Sequence, residues 1–418
     1  MAAIAAGRAL QERSPGGAHS VAVFDGARTL GAKILVAGGG RCNVTHHEVT
    51  ERAYAGSTPN AIKSVLRRFG VPDTVRFFEE IGVTLKREDT GKLFPTTDRA
   101  RSVLDALLGA ADAARVRIHH PWRIDDVRAD DDGFLLTPPD TDEDGAPPPP
   151  VRAARVILAT GGRSLPKTGS DGRGYDIVRG LGHSVTERVF PALVPLTTPR
   201  DHPLCALSGV TLRATIELRS ATNKRLVRFT DSTLLTHFGL SGPSVLDISR
   251  YYTDAVRDDP GSRLVANWLP DETPERMDKA LLDAGPTTPV RLLRDRLPER
   301  LVRTLCDLAG VDGAAPASAL TREQRRALAR ALTECELPIT GDRGYTYAEV
   351  TAGGVPLREL RLETMESRIR PGLHLCGEIC DVDGRIGGFN FQWAWASGHV
   401  AGTAAAGEIL QHAAPREA

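Results

Sequence analysis

The sequence predicts an α/β fold in which a parallel-sheet domain is interrupted by a β-rich insertion and a small helical subdomain. Three observations support this prediction. A helix with small residues on one face (1–10) is followed by an apolar strand, Val21–Phe24, that ends at Asp25. A second apolar strand begins the segment 156–162, which ends in a glycine turn. The glycine-rich composition of the N-terminal part returns after residue 349. We therefore expect the C-terminal residues to complete the first domain.

The first helix, the strand and Asp25 are typical of the second half of a βαβ unit. In such a unit an acidic residue about twenty positions beyond a Gly-rich turn binds ribose hydroxyls. The strand and the Gly-rich turn that should come first are absent from this sequence. We therefore expect the natural product to be longer by roughly 15–20 residues, the length of a strand plus glycine turn. A stop codon directly upstream of Met1 would contradict this expectation.

The next elements follow from hydrophobic spacing. Residues 61–80 and 99–114 are predicted helices, because apolar residues recur there every three or four positions. Residues 116–118, 124–127 and 134–136 are predicted short strands. The acidic, proline-rich stretch 137–150 is predicted to be a mobile loop, because it has almost nothing to bury.

The insertion has a different pattern. Residues 191–265 alternate apolar and polar side chains, which predicts antiparallel strands. Residues 271–335 are predicted helices, and Pro298 should divide the leucine run there into two. The predicted domains are 1–190 with 350–418, an inserted β domain of 191–270 with 336–349, and a helical subdomain of 271–335.

Composition argues against several classes of protein. The 418 residues include 53 basic and 53 acidic side chains, so we expect no nucleic-acid partner. No apolar run reaches the roughly 18 residues of a membrane span, so we expect no membrane partner. Scattered cysteines without a disulfide framework predict reduced thiols in a cytoplasmic protein. No metal site is predicted, and the oligomeric state is left open.

Four blocks of sequence together resemble one family. They are 30–45 with Gly-Gly-Gly-Arg-Cys-Asn at 38–43, 159–175, 236–243, and 350–355 followed by 364–367 and 376–394. Taken in this order they resemble the BaiN/YhiN-like family of NAD(P)/FAD-dependent oxidoreductases. The resemblance implies a split Rossmann-type FAD-binding domain and flavin-mediated hydride or electron transfer to a small-molecule substrate. It also implies NAD(P)H as the reductant. The sequence has no second Gly-x-Gly-x-x-Gly motif for a separate nicotinamide domain, so we expect transient use at the flavin face and not a dedicated site.

The resemblance also implies cofactor-binding residues in the N-terminal part. Asp25 would bind the adenosine ribose, although a capping role is common at strand ends. Lys33 and Arg41 would neutralise phosphate or reduced-flavin charge, with surface solvation the alternative for Lys33. Cys42 is expected to be a small buried residue near the flavin ring, not a redox residue. The remaining predicted contacts from this part are Gly39, Gly40, Asn43, Thr160, Gly161 and Gly162.

The C-terminal block supplies the other predicted contacts. Glu378 resembles the acidic residue that binds the flavin ribityl chain. Gly387, Gly388, Phe389 and Asn390 begin the last helix, whose first amides can face the flavin pyrimidine edge. Asp383 is predicted to orient this turn or to contact the cofactor.

His237 is the candidate catalytic acid or base, because it lies in the inserted domain within Thr-His-Phe-Gly-Leu-Ser-Gly-Pro. A structural histidine in a glycine-rich turn is the alternative. Two other functions are possible: a flavin-dependent nucleic-acid-modifying protein, or a truncated chain that no longer binds flavin.

Overall fold

The computed structural model describes residues 1–14, 17, 19–139 and 148–413. The chain forms two compact units. Unit 1 comprises Met1–Phe190 and Val350–Ala418, and unit 2 comprises Pro191–Glu349. The chain therefore leaves unit 1 once, builds unit 2 and returns.

The α-helices of the described chain alternate with short strands in unit 1 and cluster in the second half of unit 2. They are α1 (Ala2–Arg13), α2 (Ala32–Gly40), α3 (Pro59–Leu66), α4 (Val71–Glu80), α5 (Ala100–Ala113), α6 (Arg173–Gly180), α7 (Pro243–Asp258), α8 (Pro274–Asp283), α9 (Pro289–Leu293), α10 (Glu299–Leu308), α11 (Arg322–Thr333) and α12 (Phe389–Ala413).

The strands are mostly two to five residues long, with two longer strands in unit 2. They are β1 (Val21–Phe24), β2 (Thr45–His46), β3 (Tyr54–Gly56), β4 (Leu85–Arg87), β5 (Lys92–Pro95), β6 (Val116–His119), β7 (Asp126–Asp130), β8 (Gly133–Thr137), β9 (Val151–Ala153), β10 (Val156–Leu158), β11 (Phe190–Ala192), β12 (Leu196–Thr197), β13 (Thr211–Arg219), β14 (Arg225–Thr236), β15 (Gly239–Ser241), β16 (Arg263–Asn267), β17 (Cys335–Leu337), β18 (Gly341–Asp342), β19 (Val350–Ala352), β20 (Leu360–Arg361), β21 (Glu366–Ser367), β22 (Leu373–Leu375) and β23 (Val382–Gly384).

The described part of unit 1 contains two parallel strand pairs. β1 pairs with β6, and β10 pairs with β22, which continues through β21 to β20. The two pairs belong to separate sheets. Asp25 follows β1 and Thr160 comes shortly after β10, so both lie at carboxyl ends of parallel strands, where open α/β folds bind ligands. β10 was predicted from sequence, and its parallel pairing is confirmed.

Three small antiparallel sheets also lie among the described residues of unit 1. β5 lies between β2 and β4, β8 lies between β7 and β9, and β3 pairs with β23. The small-residue face of α1, with Ala5, Ala6 and Ala9 buried, packs along α12. The predicted helix and strand of residues 1–25 are therefore confirmed.

Unit 2 is built on one seven-stranded sheet. Its order is β17-β16-β13-β14-β15-β12-β18, and every pairing is antiparallel. The four helices α8–α11 and the sheet share one hydrophobic core, which includes Ile216, Leu264, Leu301 and Leu328. The antiparallel sheet predicted from the alternating pattern is confirmed.

The structure refines other predictions. Pro298 separates α9 from α10, as predicted. Residues 61–80 are two helices and not one, because the chain turns at Gly70, whose N–H donates to the Asp73 carboxylate (2.8 Å) and caps α4. The 16-residue helix α7 was missed, although Pro243 in its first turn is a recognised start signal. Most of the predicted mobile loop, residues 140–147, lies outside the described residues.

Candidate functional site

Three separate segments of unit 1 meet at Glu378. The Lys33 ammonium, on α2, donates to Glu378 Oε2 at 2.7 Å. The other carboxylate oxygen, Oε1, accepts from the backbone N–H of Thr351 (2.9 Å). Gly162 packs closely against the same groups. A Cβ at this position would be 2.8 Å from Glu378 Oε1 and 2.5 Å from Thr351 Oγ1, too close for any residue but glycine. The fold therefore brings together two predicted site residues that are 345 positions apart.

Thr351 holds the turn that follows β10. Its Oγ1 accepts from the backbone N–H groups of Arg163 (2.8 Å) and Ser164 (3.0 Å) and bonds the Ser164 hydroxyl (3.0 Å). Ser164 is fully buried, so these bonds replace water for groups that cannot reach it. Thr160, at the start of the turn, remains exposed at the sheet edge. Sequence reasoning missed the role of Thr351, although the residue lies within a family block.

Helix α2 has an apolar sequence, Ala-Lys-Ile-Leu-Val-Ala-Gly-Gly-Gly, yet none of its residues is buried. Val36 is 55% exposed. Its last turn is irregular, with Gly39 at φ +68, and a Cβ at Gly39 would meet nothing within 4 Å. Gly40 is similarly open. The protein thus presents an apolar helix beside open space, and a flat apolar ring would cover such a surface.

The residues directly after α2 differ in whether protein groups occupy their side chains. Arg41 bonds Glu88 at 2.6 Å and lies 4.0 Å over the Phe94 ring, so its guanidinium is held by protein groups. Cys42 is fully buried, and burial raises the pKa of its thiol to about 12. Asn43 is buried, and its side-chain oxygen Oδ1 has no hydrogen-bond partner in the described part of the chain. Asn43 Oδ1 is an acceptor that a ligand could satisfy.

Asp25 lies half-buried at the end of β1. Its Oδ1 accepts from the backbone N–H of Ala27 (2.8 Å), and its carbonyl accepts from the N–H of Trp122. The carboxylate therefore stabilises a local turn, as in the capping alternative. One capping bond uses one oxygen of a group with several acceptor positions, so the geometry is compatible with a ribose contact as well.

The C-terminal turn is fixed by Asn390. Its side-chain amide accepts from Gly384 N–H (2.8 Å) and donates to Gly384 carbonyl (2.9 Å), which ties α12 to β23. Gly388 packs directly on β2: at φ +95, a Cβ there would lie 2.6 Å from the backbone carbon of Thr45. Asp383 lies on β23 and is buried. The Phe389 ring stacks on His46 at 5.0 Å, so its side chain packs against protein groups.

Buried hydrogen bonds anchor the first turn of α12. Gln392 accepts from the hydroxyls of Thr45 (2.7 Å) and Thr74 (2.9 Å) and donates to the carbonyl of Phe69 (3.1 Å). The backbone N–H groups of residues 389–391 have no acceptor among the described residues. Free amides at a helix N-terminus stabilise negative charge. This end of α12 can therefore hold an anionic or electron-rich group.

His237 lies in unit 2, at the β14–β15 turn. Its side chain is exposed and packs edge-on against Phe238. Its ring has no hydrogen-bond partner within the described ranges. Sequence analysis did not identify Arg343, whose guanidinium lies between the Phe238 (4.3 Å) and Tyr347 (3.6 Å) rings.

The residues of unit 1 fit an FAD cofactor. The uncovered apolar helix, the unsatisfied oxygen of Asn43 and the free amides of α12 are features that a large ring system with hydrogen-bonding edges would complete. Across the described ranges, no group of three or more His, Cys, Asp or Glu side chains could hold a metal ion. None of the helices described in the structure is long and apolar enough to cross a membrane.

The fold and the site define an FAD-dependent oxidoreductase with a Rossmann-type domain. The chain belongs to the HI0933-like family: the family model described as "HI0933-like protein Rossmann domain" matches residues 1–404. This membership confirms the BaiN/YhiN-like resemblance found in the sequence.

Curated relatives cover most of the chain. A 3-dehydro-bile acid delta(4,6)-reductase of Clostridium scindens is 34% identical over 410 residues, covering 97% of this chain and 96% of its own. A ribosomal RNA dihydrouridine synthase of Escherichia coli is 34% identical over 380 residues, covering 90% of each chain. Among solved structures, the quinol fumarate reductase FrdA of E. coli is similar with a TM-score of 0.49 at 14% identity, covering 100% of this chain and 70% of that chain.

Proposed function

We propose that the chain is an FAD-dependent reductase that uses NAD(P)H to add hydrogen across a carbon–carbon double bond conjugated with a carbonyl group in a small molecule. The observation that carries this proposal is the meeting of Lys33, Gly162 and Glu378 beside the uncovered helix α2. Three family blocks that are remote in sequence thereby meet in one place, which is what a cofactor site requires.

The proposed roles follow the geometry. Asp25 binds the ribose hydroxyls, and Thr160 and Gly161 lie along the adenosine half. The Lys33–Glu378 pair orients the carboxylate toward the ribityl hydroxyls. Gly39, Gly40, Cys42 and Asn43 border the ring. Arg41 holds this loop in position for the cofactor, because its guanidinium is bound to Glu88.

At the other edge, the free amides of α12 face the flavin pyrimidine, with Gly387 and Gly388 permitting close approach. Asn390 and Asp383 hold this turn in place. Bound FAD supplies the hydride chemistry, while the protein positions it and excludes competing reactions.

The relatives support the proposed substrate class. The names of the bile acid reductase and the dihydrouridine synthase both describe the reduction of a double bond conjugated with a carbonyl group. NAD(P)H is proposed as the reductant from the family resemblance. Because the sequence contains no second dinucleotide motif, we propose that it binds transiently at the flavin and not at a dedicated site.

His237 is proposed as the acid or base that handles the substrate proton. Its imidazole is exposed, and the ordinary pKa range of histidine suits proton transfer near neutral pH. Replacing His237 with Gln should lower kcat and change its pH profile while leaving the flavin spectrum unaltered. An unchanged pH profile would remove His237 from the mechanism.

The test of the proposed function is anaerobic. FAD-loaded protein is mixed with NADH or NADPH, and loss of the oxidised flavin absorbance is followed. The reduced protein is then mixed with a conjugated enone, such as a 3-oxo-4,6-diene steroid, or with the matching saturated ketone. The proposal predicts reoxidation by the enone only. Equal behaviour of the two ketones, or no reduction by either nucleotide, would contradict it.

A second candidate function is reduction of uridine in RNA. The identity to ribosomal RNA dihydrouridine synthases of E. coli and Haemophilus influenzae, 34% and 32%, favours it. The equal numbers of acidic and basic residues in 191–349 do not, because RNA binding relies on positive charge. Reoxidation by unmodified ribosomal RNA, with dihydrouridine as product and no reaction with the steroid, would support this candidate over the first.

We also propose a cytoplasmic location. All six cysteines are buried and free, which is typical of a reducing compartment. Fractionation of the native cells, with immunodetection of the protein, would test it.

A further inference from the structure

Lys92 lies beside the turn that precedes α12. It is the first residue of β5 and is paired with His46 on β2. Its Cε is 3.6 Å from the position that a Cβ would take at Gly387. The ammonium is bonded to that carbon, about 1.5 Å further along the side chain. The fold therefore brings a cation from β5 to the same turn as the free amides of residues 389–391.

No residue that the structure describes is a partner for this ammonium. Lys92 is half-buried, and within the described ranges its Nζ makes no hydrogen bond or ion pair. In contrast, Lys33 contacts Glu378 at 2.7 Å, Lys63 contacts Glu51 at 3.5 Å, and Lys86 pairs with Asp98. Partial burial of a charge without compensation is unfavourable. A position of this kind suits a cation whose negative partner is a ligand.

The neighbouring histidines are not equivalent candidates. Both ring nitrogens of His46 lie against backbone groups: Nδ1 is 2.8 Å from the carbonyl oxygen of Glu48 and accepts from its N–H (3.2 Å), and Nε2 is 3.1 Å from the carbonyl oxygen of Thr90. The His46 ring also stacks on Phe389. His47 Nδ1 contacts the carbonyl of Gly91 at 3.3 Å. These rings are held by backbone groups, so Lys92 is the side chain here whose charge is available.

We propose that Lys92 is the cation that stabilises negative charge on the pyrimidine side of the bound flavin. The inference rests on the proposed function, because it assumes that the flavin edge lies at the α12 turn. A lysine ammonium and a helix N-terminus directed at one spot reinforce each other, since both favour an anion there. The sequence analysis did not identify Lys92 because a single lysine at the start of a strand carries no motif.

The test uses Lys92→Met, with Lys92→Arg as the charge-conserving variant and Lys63→Met as a control that removes the same charge elsewhere in unit 1. The first readout is sulfite titration of the FAD-loaded proteins, because the flavin–sulfite adduct is anionic and a nearby positive charge stabilises it. The second is the flavin midpoint potential, measured by equilibration with a reference dye. Neither readout depends on the substrate.

The proposal predicts that Lys92→Met binds sulfite at least about tenfold more weakly and has a lower midpoint potential, because a hydrogen bond to a charged group is lost. Lys92→Arg and Lys63→Met should remain close to the unmodified protein. Loss of FAD from Lys92→Met with retention by Lys92→Arg also supports the proposal.

Unchanged sulfite affinity and potential in a Lys92→Met protein that still holds FAD would overturn this inference while leaving the proposed function intact. An unmodified protein that holds no FAD would overturn the proposed function and this inference together.

Discussion

Gly39 offers a sharp test of where the cofactor lies. In the protein alone, a methyl group at Gly39 would meet nothing within 4 Å, so Gly39→Ala creates no clash. Its φ of +68 is in the left-handed region, where a non-glycine residue costs about 1–2 kcal/mol. We therefore expect the melting temperature to fall by about 2–8 °C, at roughly 2–4 °C per kcal/mol for a unit of this size.

FAD affinity should fall further than stability. If the flavin occupies the open space beside Gly39, the methyl group overlaps it, and an overpacked contact costs about 1–3 kcal/mol. We expect the Kd for FAD to rise about tenfold to a hundredfold, since 1.4 kcal/mol corresponds to about tenfold. The Kd is measured by quenching of flavin fluorescence on titration with apoprotein.

Gly82→Ala is the matched control for this experiment. Gly82 has φ +84 and is also open within 4 Å, but it lies at the end of α4, outside the proposed site. The two variants should therefore lose similar stability, and only Gly39→Ala should lose FAD affinity. Equal FAD affinity in both variants would show that the cofactor does not lie beside Gly39.

Three further predictions concern the groups around the site. Thr351→Val should lower the free energy of unfolding by about 3 kcal/mol, because two backbone N–H groups lose their acceptor. Thr351→Ser keeps the hydroxyl and should leave the free energy of unfolding nearly unchanged. Equal losses for the two variants in urea unfolding would refute this. Burial raises the pKa of the Glu359 carboxyl, but hydrogen bonds from Ser184 and His183 outweigh burial, so the pKa in the folded protein is lowered. The charged Glu359 therefore stabilises the fold above the unfolded-state pKa of about 4.3, and this stabilisation is lost as pH falls through the pKa of the folded protein. The stability difference between the unmodified protein and Glu359→Gln should thus shrink below about pH 4, and a pH-independent difference in denaturant unfolding would contradict it. Burial raises the pKa of the Cys42 thiol to about 12, and the other cysteines are buried too, so the native protein should react with a thiol reagent only on unfolding; rapid labelling of Cys42 would refute its buried placement.

The sequence was most informative where local chemistry determines structure. The helix break at Pro298 was predictable because proline removes a helix hydrogen bond. The strand Val156–Leu158 was predictable because a short apolar run before a glycine turn is typical of a buried parallel strand. Helix α7 was missed because the alternating pattern around it was extended across the residues from Pro243 onward.

Contacts between remote segments could not be predicted from sequence. Nothing in the spacing indicates that Lys33 meets Glu378 or that the Thr351 hydroxyl accepts from a turn 187 residues away. Arg41 was assigned to phosphate or flavin charge, but in the structure it is bound by Glu88, a residue before β5. Such partners depend on how the strands are arranged, which only the tertiary structure gives.

We expect the glycine-rich segments of unit 1 to hold one FAD. The most direct measurement is to mix the purified chain with excess FAD, remove unbound flavin by gel filtration, and quantify the flavin released on denaturation. We expect a yellow protein with one FAD for each chain. A folded protein that elutes without flavin would contradict it.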